Sequence, residues 1–168
     1  MNKVSEKLIT DYFAEGQKIL SKISPQEVAA LASAIEKVRV LGSTVYIAGN
    51  GGSASTASHF VNDLTIITKR RGVHVKAFSL VDSIATITAI GNDESFEDIY
   101  KTQLLNRLGE KDLVFSISAS GNSFRENSLS YRLLLDDVIA SVRHVVWLTR
   151  SALDCDSIRF LPRPWVIA

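Results

Sequence analysis

Between Thr44 and Ser55 a β-branched and apolar run, Thr44-Val45-Tyr46-Ile47-Ala48, breaks into Gly49-Asn50-Gly51-Gly52 and then into Ser53-Ala54-Ser55 and a helical pattern. Glycines allow a tight turn and close backbone approach, and the first N–H groups of the following helix have no partner inside it. That is how a chain builds an anion site, and a phosphate is the natural guest. The spacing lacks the third glycine of the dinucleotide fingerprint, and no lysine follows as a nucleotide P-loop requires, so a phosphorylated metabolite fits better than a nucleotide. Taken alone, the segment also reads as an ordinary strand-to-helix turn with a serine N-cap. A second polar turn, Ala119-Ser120-Gly121-Asn122-Ser123, follows a second apolar run, Leu113–Ser118. If both turns reach one pocket, backbone N–H groups and the hydroxyls of Ser53, Ser118, Ser120 and Ser123 become its phosphate donors.

A different chemistry is offered by His59 and Asp63. Residues four apart share a helix face, so an imidazole nitrogen and a carboxylate oxygen could meet one metal ion about 2 Å from each. Two ligands make half a site, and the same pair alone also reads as a salt-linked surface histidine. The other histidines are His74, beside the basic cluster Lys69-Arg70-Arg71, and His144, at the start of an apolar run. The first reads as part of a solvated loop, the second as a structural edge residue.

The elements that must position these residues alternate. Leu8, Ile9, Tyr12, Phe13 and Leu20 recur at helical spacing, and Ser24-Pro25 opens a second helix with a capping serine and a proline at its first position. Val28, Leu31, Ala32, Ile35 and Val38 form that helix's apolar stripe, which runs towards Leu41 and stops at Gly42. Strands are expected at Thr44–Ala48, Val75–Leu80, Leu113–Ser118 and His144–Thr149, with a last short one at Ile158–Leu161. Helices are expected at Ser53–Leu64, Ser83–Ile90 and Ser95–Leu108, and another through Leu135, Val138, Ile139 and Val142. Continuous apolar strands interleaved with helices make an α/β fold, a doubly wound parallel sheet covered on both faces. Ligands then sit beyond the carboxyl ends of the strands, where both polar turns fall. Residues 1–42 are the N-terminal helices and 43–168 the α/β core of a single domain.

Composition narrows the function. At 168 residues and a formal net charge of +1, the chain has no global field that argues for nucleic acid or an anionic membrane. One cysteine, Cys155, excludes an intrachain disulfide framework and points to the cytoplasm. No apolar run approaches the ~20 residues that span a bilayer, and no signal peptide is read at the start.

In their order and spacing, Gly49-Asn50-Gly51-Gly52-Ser53-Ala54, His59-Phe60, Gly91-Asn92-Asp93 and Ser118-Ala119-Ser120-Gly121-Asn122-Ser123 resemble the sugar isomerase (SIS) domain, in its phosphoheptose isomerase branch. The resemblance covers Ser24 to Ser123 well and His144–Thr149 more loosely. It implies a five-stranded parallel sheet flanked by helices, a homotetramer joined through the N-terminal helices, and a zinc ion. It also implies conversion of sedoheptulose 7-phosphate to a manno-heptose 7-phosphate for bacterial surface polysaccharide. Asn50, Gly51, Gly52, Asn92 and Asp93 match sugar-phosphate contacts, and Ser118, Ala119, Ser120 and Ser123 match the phosphate loop. His59 falls on a zinc ligand, and Asp63 stands where the family has a glutamate serving as ligand and acid–base. The family's C-terminal helix, with a glutamine and a histidine for the metal, is expected to be missing here, because the sequence ends Phe160–Ala168 with two prolines. Those departures keep open a non-catalytic SIS-type protein, either a sugar-phosphate sensor or an adaptor of the replication initiator. A nucleotide-binding doubly wound domain is a third, weaker option.

Overall fold

The structure, a computed structural model, describes residues 6–105 and 107–118 and the strands 144–149 and 157–161. Helices α1 (Glu6–Lys22) and α2 (Pro25–Val40) precede the sheet. Ser24 caps α2 as its sequence requires, its hydroxyl accepting from Glu27 N at 3.3 Å with Pro25 at the first helical position. The core then runs β1 (Thr44–Gly49), α3 (Gly52–Asn62), a π-helical turn Asp63–Ile67 and a final helical turn α4 (Thr68–Arg70). It continues through β2 (Lys76–Ser79), α5 (Ile84–Asp93), a 3-10 turn Phe96–Asp98, α6 (Ile99–Leu105), β3 (Leu113–Ser118), β4 (His144–Thr149) and β5 (Ser157–Leu161). The single helix expected over Ser95–Leu108 is therefore shorter and starts as a 3-10 turn, because Ser95 accepts from Asp98 N and tightens the entry.

The strands order β2-β1-β3-β4-β5. The first four run parallel, and the expected all-parallel sheet is corrected at β5, which pairs antiparallel with β4 from Thr149↔Ser157 to Val145↔Leu161. The link 150–156 is the reason: a parallel strand needs a crossover of a dozen or more residues.

Alternation along β1 and β3 divides the core between two faces. Val45 and Ile47 pack with Leu113, Phe115 and Ile117 under α2 and α3, where Val38, Ala57 and Leu64 close the layer. Phe60 meets Phe115 edge-on, with ring centroids 5.3 Å apart. Tyr46, Ala48 and Val114 face the other way, against Leu80, Ile90 and α6's Ile99, Tyr100 and Leu104. Helices on both faces make the fold doubly wound, as the continuous apolar strands require. Along α2 only Val38 is buried, and Val28 and Leu41 remain exposed, so the stripe reaches the sheet over its last turns alone.

At the amino ends of the strands, Asp112 closes the sheet. One carboxylate oxygen accepts from Thr44 N and the other from Gly109 N, each at 2.8 Å, tying the start of β1 to the loop before β3. Nearby, Tyr46 donates its hydroxyl to Arg107 O at 3.1 Å. Burial first, and the Asp112 carboxylate second, push the Tyr46 phenol above its ordinary value.

Candidate functional site

Because β2 and β3 lie on opposite sides of β1, the direction of winding reverses between β1 and β3. In such sheets the ligand crevice opens beyond the carboxyl ends at that reversal. Gly49, the last residue of β1, stands in register with Ile117 on β3, so the two polar turns leave neighbouring strands one residue apart in register.

The first turn is built by its glycines. A Cβ on Gly49 would lie 2.6 Å from the backbone oxygen of Ser53, a distance no side chain tolerates, so only glycine lets α3 start this close to the strand. Gly51 adopts φ +55° and occupies the N-cap of α3, where it supplies no side-chain cap. The serine-capped alternative is thus not what forms. Ser53 N bonds Asn50 O and Ala54 N bonds Gly51 O, both at 3.0 Å, which closes the turn on itself. Ser53 is buried beneath Gly49, while Asn50, Gly51 and Gly52 are exposed. The side chain the turn presents is therefore that of Asn50.

Tyr100 underlies this turn, and no sequence pattern singled it out. Its hydroxyl lies 2.7 Å from Gly49 O and 2.7 Å from Asn50 Oδ1, and its ring is buried on α6. The available signal was a tyrosine inside an apolar helical stripe, since a buried phenol needs a polar partner. Nothing local says that the partner is fifty residues away.

Asn92 and Asp93 end α5, both exposed, with Asn92 Nδ2 donating to Asp93 Oδ1 at 2.8 Å. Gly91 packs its Cα side against Ile99, 3.5 Å from where a Cβ would sit, which seats this pair beside the start of α6. Ser118 is the buried last residue of β3, in register with Thr149. Ala119, Ser120 and Ser123 lie outside the described residues.

His59 on α3 and Asp63, the first residue of the π-helical turn that continues it, do share one face, Nε2 standing 4.0 Å from Oδ1 with the imidazole exposed and the carboxylate half-exposed. That is the geometry of a loose ion pair, and it is also near that of two ligands: a tetrahedral zinc about 2 Å from each donor needs them about 3.3 Å apart. Rotation of two exposed side chains covers the difference, so the pair fits half of a zinc site. Among the described residues, no group of three or more His, Cys, Asp and Glu side chains is gathered to complete it. His74 is exposed in the loop before β2, and His144 lies in register with Leu113 at the amino end of β4.

Two further features hold this face of α3. Hydroxyls of Ser58 and Ser79 both donate to Asp82 Oδ1, linking the residue before His59 to the end of β2. At Asp63 the helix widens: Thr68 N reaches back five residues to Asp63 O, and Leu64 O, which it would have served in an α-helix, is taken by the Thr68 hydroxyl. π-helical turns of this kind recur at functional sites.

Fold and site together define a doubly wound α/β domain with an anion-type glycine turn at its winding reversal. The chain belongs to the SIS domain family, which it matches over residues 11–128. It is 34% identical over 123 residues to the phosphoheptose isomerase of Trichlorobacter lovleyi, covering 73% of this chain and 62% of that one. It is 36% identical over 107 residues to the phosphoheptose isomerase of Helicobacter hepaticus, covering 60% and 55%. The chain thus spans less than two thirds of the length of these relatives. Among solved structures, a phosphoheptose isomerase from Francisella tularensis superposes with a TM-score of 0.76 at 28% identity, covering 90% of this chain and 78% of that one.

Proposed function

We propose that this chain is a phosphoheptose isomerase. The reaction is conversion of sedoheptulose 7-phosphate to D-glycero-D-manno-heptose 7-phosphate in the cytoplasm, for bacterial lipopolysaccharide heptose. The observation that carries the reading is the glycine turn at the β1/β3 reversal, next in register to the strand that leads into the serine-rich turn. Two turns of this composition, each following in sequence one of two neighbouring strands, suit a phosphate at one end of a polar, hydroxyl-rich substrate. The likeness to phosphoheptose isomerases supports the substrate class.

Aldose–ketose isomerisation removes a proton beside the carbonyl and returns it to the neighbouring carbon through an enediol. Asp63, half-exposed at the start of the π-helical turn on the face it shares with His59, is the candidate for moving that proton. Asn50, Gly51 and Gly52 bind and orient the substrate, and Asn92 and Asp93 hold its hydroxyls. His59 and Asp63 would hold a zinc ion, which supplies polarisation of the substrate oxygens when bound. These two ligands make half of such a site, and among the described residues no third is gathered beside them.

The same reading makes the chain a homotetramer. Helix α1 buries none of its residues, and Tyr12, Phe13 and Leu20 are 76%, 65% and 68% exposed. An apolar stripe of this size is covered by other copies of the chain. Sedimentation at micromolar concentration is expected to give a tetramer, and a monomer there would refute the assembly.

The function is tested by zinc analysis of the purified protein together with turnover of sedoheptulose 7-phosphate. The expected result is near-stoichiometric zinc and turnover that His59→Ala abolishes. Binding of the sugar phosphate with neither zinc nor turnover would leave a non-catalytic SIS-type binding or adaptor protein instead.

A further inference from the structure

The phenol of Tyr100 is a buried polar group beside the site to which the proposed reaction gives no role. Its hydroxyl has a single hydrogen and faces two oxygens at 2.7 Å, the backbone carbonyl of Gly49 and Oδ1 of Asn50. Held by Asn50 or shared with Gly49, that hydrogen draws Oδ1 towards the phenol. Because the amide is planar, Nδ2 is then turned the other way. An N–H donor in that orientation suits an anionic oxygen or the lone pair of a sugar hydroxyl.

We infer that Tyr100 is a positioning residue for Asn50, setting the rotation of its amide so that the N–H₂ end meets the ligand. Tyr100 itself touches the turn and no reacting atom. The inference rests on the sugar-phosphate reading of the glycine turn and adds the device that orients it.

The phenol is well placed for this, because α6 is rigidly seated. Gln103 Nε2 donates to Ile99 O within the helix at 2.9 Å and to Leu80 O at 3.0 Å, and the second bond ties the helix to the residue just after β2. Leu104 is fully buried, and the Ser95 cap fixes the entry to the helix. A side chain on such an element holds its partner with little freedom left to lose on binding.

The test is calorimetric titration of the full chain with sedoheptulose 7-phosphate, using wild type, Tyr100→Phe, Asn50→Ala, the double variant and Asn50→Asp. Tyr100→Phe is expected to weaken binding about fivefold, the worth of one net hydrogen bond. Asn50→Ala weakens it at least as much, and the double variant binds no worse than Asn50→Ala, since the phenol acts only through the amide. A merely structural role for Tyr100 would instead add its loss in full to that of Asn50→Ala, and that result overturns the inference. So does wild-type affinity in Tyr100→Phe. Asn50→Asp, which places an oxygen where the N–H₂ end stands, is expected to bind more weakly than Asn50→Ala; undiminished binding would refute the donor orientation. If wild type itself takes up no sugar phosphate, the reading of the turn falls and this inference with it. If wild type binds and the two residues do not couple, only this inference falls.

Discussion

At the amino ends of its strands the sheet is closed by a carboxylate, and at the carboxyl ends by a phenol. Asp112 accepts two backbone N–H groups, from Thr44 and Gly109, and is itself buried. Tyr100 reaches one backbone carbonyl, that of Gly49, and one exposed side chain, that of Asn50. The first clamp joins backbone to backbone through a charged group and leaves nothing facing outward. The second reaches, besides the backbone, a residue that the turn displays. The amino end is built to stay shut, while the carboxyl end is built to hold a side chain ready.

The difference is sharpest in substitutions. Asp112→Ala takes the partner from the part-buried N–H groups of Thr44 and Gly109 and is expected to cost about 1–2 kcal/mol of unfolding free energy, read from urea denaturation. Affinity per folded molecule should not change, and a binding defect in that variant would break the division of labour. Tyr100→Phe keeps the ring in the core, so its stability loss should stay under about 1 kcal/mol while its effect appears in the ligand titration. Between the two ends lies Ser116, whose buried hydroxyl has no hydrogen-bond partner among the described residues. Ser116→Ala is expected to stabilise the protein by about 0.5 kcal/mol, the smallest effect of the three and opposite in sign. A destabilised Ser116→Ala would show that its oxygen is satisfied in solution.

Much of this arrangement was legible in the sequence, and the exceptions have physical reasons. Glycine carries its meaning locally, so Gly49-Asn50-Gly51-Gly52 announced a turn that only glycines can make, and the Cβ-free approach at Gly49 bears this out. Apolar continuity in Thr44–Ala48 and Leu113–Ser118 likewise announced strands buried on both faces, as they are. Tyr100 was missed because its significance arises from a contact across fifty residues, which periodicity does not encode. The direction of β5 could have been read from its distance to β4, since a short link forbids a parallel return. The π-helical turn at Asp63 leaves almost no trace in a helical pattern. Its only hint is Thr65 and Thr68, whose hydroxyls bond the carbonyls of Val61 and Leu64. Of the second polar region only Ser118, the buried end of β3, is described, and Ala119, Ser120 and Ser123 lie beyond the described residues.

Helix α1 is 17 residues long and buries none of them. A helix of that length standing alone in water is marginal, because nucleation is costly and propensity repays it slowly. The strands of the sheet, by contrast, find their pairing partners within the same chain. The amino-terminal helix obeys a different law under the proposed assembly: with other copies of the chain covering the Tyr12–Phe13 face, concentration would act on it as heat acts on the core. A protease added to progressively diluted protein would meet that boundary first, trimming the amino end while the sheet remains intact.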